Sequence, residues 1–109
     1  MFRITDNKGF HITFDNGFTV SVQFGPGNYS DNYDANWDTL GQPQSSRTAE
    51  TAVFSPDGEF VAYRGQDVQG HMTAEQVLDL MNQVSQLNWA EQRRTLDPKE
   101  TLQIGVDQD

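Results

Sequence analysis

The residues best equipped to recognise another molecule lie in one stretch, Gly25-Pro26-Gly27-Asn28-Tyr29-Ser30-Asp31-Asn32-Tyr33-Asp34-Ala35-Asn36-Trp37-Asp38. Tyr29, Tyr33 and Trp37 recur every four residues, and Asp31, Asp34 and Asp38 are set among them. Large amphipathic aromatics dominate the energetics of many protein interfaces. Carboxylates beside them attract a basic partner and speed its encounter. The pattern predicts a partner-binding surface of Tyr29, Asp31, Tyr33, Asp34, Trp37 and Asp38 for a protein with a basic face. The competing reading folds these rings down as a lid on the core, the commoner fate of Tyr and Trp. The three aspartates do not make a calcium loop, because the alternate spacing, the central Gly and the terminal Glu are missing. No metal and no cofactor is expected. Gly25-Pro26-Gly27-Asn28 lacks the strand-to-helix setting and the Lys of a phosphate-binding loop, so it reads as a sharp exit from a strand.

A second constellation is Arg3, Thr5, His11 and Ser21. Hairpin registers inferred from loop lengths place Thr5, His11 and Ser21 in one cross-strand row and Arg3, Thr13 and Thr19 in the next. Ser beside His suggests an activated nucleophile. A triad also needs an orienting carboxylate and an oxyanion hole, and the row supplies neither. The simple alternation reads as a solvated sheet face, with Arg3, Thr5, His11 and Ser21 as an alternative ligand-binding face. No catalytic residue is assigned and no enzyme is expected. His71 reads as loop surface.

Both constellations depend on strands and turns. Phe18, Val20, Val22 and Phe24 alternate with Thr19, Ser21 and Gln23, and Phe10, Ile12 and Phe14 repeat the pattern. A three-residue loop Asp15-Asn16-Gly17, with Gly17 left-handed, sets Phe14 against Phe18, Ile12 against Val20 and Phe10 against Val22. The same loop logic at Asn7-Lys8-Gly9 sets Ile4 against Ile12 and Phe2 against Phe14. Pro56-Asp57-Gly58 predicts a third hairpin, with Phe54 against Phe60, Ala52 against Ala62 and Glu50 against Arg64. Both faces of that hairpin carry apolar residues, which predicts a central position or cover by a loop. Thr73-Ala74-Glu75-Gln76 reads as a capping box, with Met72 and Val77 as its hydrophobic staple. Val77, Leu80, Met81, Val84 and Leu87 make the apolar stripe of a helix running to about Leu87, with continuation to Arg94 open. Residues 25–47 form a long loop. Residues 1–94 make a single domain, and 95–109 make a polar tail or, through Leu102, Ile104 and Val106, an added edge strand. The fold class is α+β: an antiparallel, hairpin-built sheet of about five strands packed by one C-terminal helix.

The whole chain limits its partners. It has 109 residues, 16 acidic against 7 basic, for a formal net charge of −9. Phosphate binding needs clustered cations, so direct nucleic-acid binding is not expected, nor is an anionic membrane surface. The carboxylates are spread along the chain rather than set in rows, as a solvated surface requires, and not as a mimic of nucleic acid. With no cysteine there is no disulfide, thiolate metal site or Cys nucleophile. Met1-Phe2-Arg3-Ile4 runs into strand-like sequence without an apolar leader, from which a cytoplasmic location is expected.

Residues 8–29 carry a resemblance. Lys8-Gly9-Phe10-His11-Ile12-Thr13-Phe14-Asp15-Asn16-Gly17, then Thr19-Val20-Ser21-Val22-Gln23 and Gly25-Pro26-Gly27-Asn28-Tyr29, resemble small uncharacterised proteins encoded by phages, prophages and mobile elements. Thr48-Ala49-Glu50-Thr51-Ala52 and the single helix are compatible with that group. The group transfers no activity and no residue role. Its context implies a host cytoplasm and an accessory protein that binds a host or defence macromolecule. Sequestration of a small molecule or nucleotide, and a structural or assembly role, stand as alternatives.

Overall fold

The computed structural model describes residues 1–6, 8–35, 45–91 and 103–104. The elements run β1 (Phe2–Thr5), β2 (Gly9–Thr13), β3 (Thr19–Gln23), β4 (Thr48–Phe54), β5 (Phe60–Tyr63), β6 (Val68–Thr73), α1 (Ala74–Ser85) and β7 (Gln103–Ile104). The fold is α+β: among the described residues, six strands pair antiparallel and the helix Ala74–Ser85 packs on them. The two-residue β7 adds a parallel pairing to β5. The strand that the sequence reading omits is β6. It carries Gly70 and His71, and no period-2 pattern runs through it.

The first three strands form a meander whose register follows its turns. The Asp15-Asn16-Gly17 loop behaves as expected: Gly17 has φ +90°, and Phe14 donates its N–H to the Phe18 carbonyl. Phe10, Ile12 and Thr13 then face Val22, Val20 and Thr19. The first hairpin differs from expectation by two residues on β1. Phe2 faces Ile12, Arg3 faces His11 and Ile4 faces Phe10. Its turn closes earlier, with Lys8 donating to the Thr5 carbonyl and Asp6 left-handed at φ +46°. Gly9 belongs to β2, where a Cβ would collide with the Val22 carbonyl. Its glycine serves that close approach rather than the turn. An even shift keeps every side chain on its expected face, so the apolar surface survives while the polar rows change.

β4 is the hub. One edge pairs with β3 over Thr19–Gln23. The other edge is shared: Val53 and Phe54 pair with Val61 and Phe60 of β5, while Thr48–Ala52 pair with β6. Phe54 thus meets Phe60 as expected, through a turn with Gly58 at φ +83°. Beyond Val53 the edge passes to β6, and Glu50 faces a bulge instead of Arg64. Between Ala49↔Met72 and Thr51↔Gln69, the two residues Gly70 and His71 oppose Glu50 alone. His71 is left-handed, with φ +52°. Two residues against one is the geometry that kinks a strand and redirects its side chains. The assignment of His71 to a loop is corrected accordingly: it lies in β6, exposed.

α1 starts with the predicted capping box, Thr73 Oγ1 accepting from Gln76 N–H and Gln76 Oε1 accepting from Thr73 N–H. Met72 and Val77 are both buried beside it. The helix ends at Ser85 with Gln86 as C-cap, short of Leu87; Arg94 lies outside the described residues. Its stripe of Val77, Leu80 and Val84 covers β3, β4 and β6. The core comprises Phe18, Val20, Val22, Val53, Val61, Leu80 and their neighbours, with Ile104 of β7 included. Coverage declines toward the meander's outer edge. Phe10, Ile12 and Phe14 are half-buried, and Phe2 and Ile4 lie in the open.

Candidate functional site

The segment after β3 is held by specific bonds from its first residue. Asn28 folds back, its side-chain oxygen accepting from Gly25 N–H, and Asn32 Nδ2 donates to the Phe24 and Ser45 carbonyls. Ser30 is buried, and its hydroxyl accepts from Asn32 N–H. Tyr29 is clamped through its backbone at the β6 bulge. Its N–H donates to Glu50 Oε2 at 2.9 Å, and its carbonyl accepts from His71 N–H at 2.8 Å. Gly70 makes room: a Cβ there would come within 2.8 Å of Tyr29 Cβ. The bulge, the glycine and the lone Glu50 thus act together to seat one tyrosine.

Asp31 fixes the other side. Its carboxylate accepts from Arg47 Nε at 2.9 Å, from Arg47 N–H and from the Thr48 hydroxyl, while its own N–H donates to Thr48 Oγ1. These partners, the Arg47 side chain first, hold its pKa below the ordinary carboxylate value. Its charge is directed into the loop anchor more than outward.

With both anchors set, Tyr29 and Tyr33 stack in parallel, centroids 5.6 Å apart and planes within 2°. They remain 52% and 46% exposed. Tyr29 and Tyr33 are therefore displayed on a braced loop rather than folded under it. Asp34 is exposed beside them. Trp37 and Asp38, the remaining members of the predicted surface, lie outside the described residues.

A wide, polar cleft of about 460 Å³ opens on the far side of the bulge. Gly70 and His71 form one wall, Tyr63 and Gln69 contribute from the β5–β6 end, and Glu75 and Asp79 from α1. Among the described residues no three His, Asp or Glu side chains gather as a metal site.

The alternative face assembles differently from its expectation. The row through His11 runs Arg3, His11, Ser21, Ala52, and Thr5 belongs to the next row with Gly9 and Gln23. Thr13 pairs with Thr19 as expected, their hydroxyls 2.7 Å apart, but Arg3 is not in that row. The cause is the two-residue shift of β1. Ser21 is buried, and its hydroxyl accepts from Gln23 Nε2 at 3.1 Å, while Gln23 Oε1 accepts from Thr5 Oγ1 at 2.8 Å. Gln23, which the sequence reading left unassigned, organises the polar face. His11 lies against the Phe54 ring at 6.1 Å, and Phe54 lies against Phe60 at 4.8 Å.

Desolvation among these groups, and then the Arg3 guanidinium, hold the His11 pKa below the ordinary imidazole value. The unfolded chain then takes up a proton that the folded chain resists. This contribution to stability is complete above about pH 6.5 and falls as the pH drops from there toward the folded-state pKa. Asp31 acts the same way further down: its contribution is complete above the ordinary carboxylate pKa and is lost as the pH falls through the depressed folded value. Urea unfolding at pH 7 and pH 5 should show the wild type weaker at pH 5. His11→Gln should shrink that difference. An unchanged difference in the variant would assign the acid sensitivity to other groups.

Comparison of the chain with protein-family models, curated proteins and solved structures finds no match. No helix among the described residues is long and apolar enough to cross a membrane.

Proposed function

We propose that this protein is a non-catalytic binding module that docks a basic protein surface through the Tyr29–Tyr33 pair and Asp34. The observation that carries this reading is the parallel tyrosine stack, half-exposed yet seated by Glu50, Gly70 and His71. Aromatics held in place before binding lose little freedom on docking, which is how preorganised contacts raise affinity. Their exposed faces also suit the guanidinium of an arginine on the partner. The resemblance of residues 8–29 to phage and mobile-element proteins supports a host or defence protein as the partner, with the bound protein inhibited.

A tagged pull-down from host lysate, read by mass spectrometry, tests the reading with wild type, Tyr33→Ala and Asp34→Lys side by side. Tyr33→Ala is expected to weaken capture at least about tenfold, on the scale of an interface hot spot, with little change in melting temperature. Asp34→Lys is expected to slow association and flatten its salt dependence. A partner retained by a folded Tyr33→Ala variant counts against the surface, as does a wild type that captures nothing.

The polar cleft beside the bulge favours a second reading, sequestration of a small polar molecule. A ligand confined to the native state raises the melting temperature, so a panel of nucleotides and metabolites distinguishes the two.

A further inference from the structure

We propose that the outer edge of β1 is a strand-addition site for an extended segment of a partner protein, one that alternates apolar residues around a central carboxylate. The backbone pattern is the first observation. Met1 and Thr13 exchange both backbone bonds, Met1 N donating to Thr13 O and Thr13 N donating to Met1 O. Antiparallel pairs alternate between bonded and non-bonded, so Arg3 and Thr5 turn their backbone groups toward β2. Phe2 and Ile4 turn theirs outward, to an edge with no neighbour among the described strands. A row of open donors and acceptors is a template for another strand.

The side chains of the same two residues are the second observation. Phe2 is 72% exposed and Ile4 77%. They continue the helix-side apolar face past Phe10, whose ring meets Phe2 edge-on at 6.0 Å. Phe10 and Phe24 also line a groove of about 240 Å³ against Met72 and Val77. An added strand would cover Phe2 and Ile4 with alternate side chains and satisfy their backbone groups together.

Arg3 selects the occupant. It projects from the opposite face of β1 and makes no ion pair with the described residues, in a chain of net charge −9. In the register that sets the outward-bonding residues Phe2 and Ile4 against each other, self-pairing of two β1 strands also sets Arg3 against Arg3 of the second copy. Like charges directly opposite are destabilising, so a second copy is disfavoured. A heterologous strand with Glu or Asp opposite Arg3 is favoured.

The probe is a capped peptide, Val-Thr-Val-Glu-Val-Thr-Val, compared with the same peptide carrying Lys in place of Glu. Binding is followed by amide hydrogen exchange and NMR shifts on the full chain. The Phe2 and Ile4 amides are expected to become protected on saturation, with little change at Arg3 and Thr5. The Lys peptide should bind roughly fivefold more weakly, and Arg3→Glu should reverse that order. Ile4→Pro removes one outward donor without touching the β1–β2 ladder and should weaken binding about tenfold. Tyr33→Ala should leave peptide binding intact, which separates this site from the tyrosine surface. No saturation by about 1 mM peptide, protection elsewhere in the sheet, or equal binding of the two peptides would overturn the proposal. Protection of Phe2 and Ile4 in a dimer without peptide would overturn the choice of occupant.

Discussion

Phe18→Ala is expected to lower the unfolding free energy by about 3–5 kcal/mol. Phe18 has no exposed surface and enters β3 directly from the Asp15-Asn16-Gly17 turn. Trp89, beyond the helix end, meets its ring edge-on with centroids 5.7 Å apart and planes at 85°. Removing the ring deletes that contact and opens a void between the meander and the end of α1. The walls on both sides belong to hydrogen-bonded elements and have little freedom to collapse. Urea titration should show a lower midpoint with an unchanged slope, since the surface exposed on unfolding is nearly the same. Phe18→Leu should lose clearly less, about 1–1.5 kcal/mol. A loss below about 1 kcal/mol for the alanine variant would mean that the site repacks, contrary to the rigid walls inferred here.

Asn16→Ala is expected to cost about 2–3 kcal/mol, large for a partly exposed turn residue. Its Nδ2 donates to the Val84 carbonyl at 2.8 Å and the Leu87 carbonyl at 2.9 Å, and its Oδ1 accepts from Phe18 N–H at 3.0 Å. Val84 and Leu87 carry carbonyls at the C-terminal end of α1, where the backbone runs out of helical donors. One amide thus joins the turn, the first residue of the core and the end of the helix, across 68 positions of sequence. Alanine leaves the Phe18 donor and the Leu87 acceptor without these partners. Asn16→Asp makes the sharper test. Asp commonly replaces Asn in turns, and it would still accept from Phe18. It loses both donated bonds, however, and sets a carboxylate against the negative end of a helix. The aspartate variant is therefore expected to be at least as unstable as the alanine variant in the same titration. Wild-type stability in Asn16→Asp would show that the turn does not tie down the helix.

Local chemistry made much of this fold legible. Gly17 and Gly58 mark turns whose left-handed residues set the second and third hairpins, and Thr73 with Gln76 marks the helix start. The first hairpin misleads because Gly9 looks like a turn residue while its glycine serves a close approach to β3, a tertiary demand invisible in a window of a few residues. β6 escapes for a related reason. A bulge breaks its alternation at Gly70 and His71, and an interior glycine in a short polar run reads equally well as a loop. The displayed tyrosines are legible as residue types but not as a pair. Their stacking depends on Glu50 and His71, each more than 20 positions from Tyr29, and neither carries a motif. A conspicuous Gly in an otherwise strand-length segment was the one available sign of the bulge.

The shared outer edge of β4 bears on the order of folding. The meander through Gln23 and the unit from Thr48 to Ser85 each consist of neighbours in sequence. The β3–β4 ladder joins them across the connection from Gln23 to Thr48. Such a seam forms against a larger loop-closure entropy than either half. Folding is therefore expected to be limited by the docking of two locally formed halves. Trimming the Val20–Val53 pair across the seam should mainly slow folding, whereas trimming Ile4 at the far edge should leave the folding rate nearly unchanged.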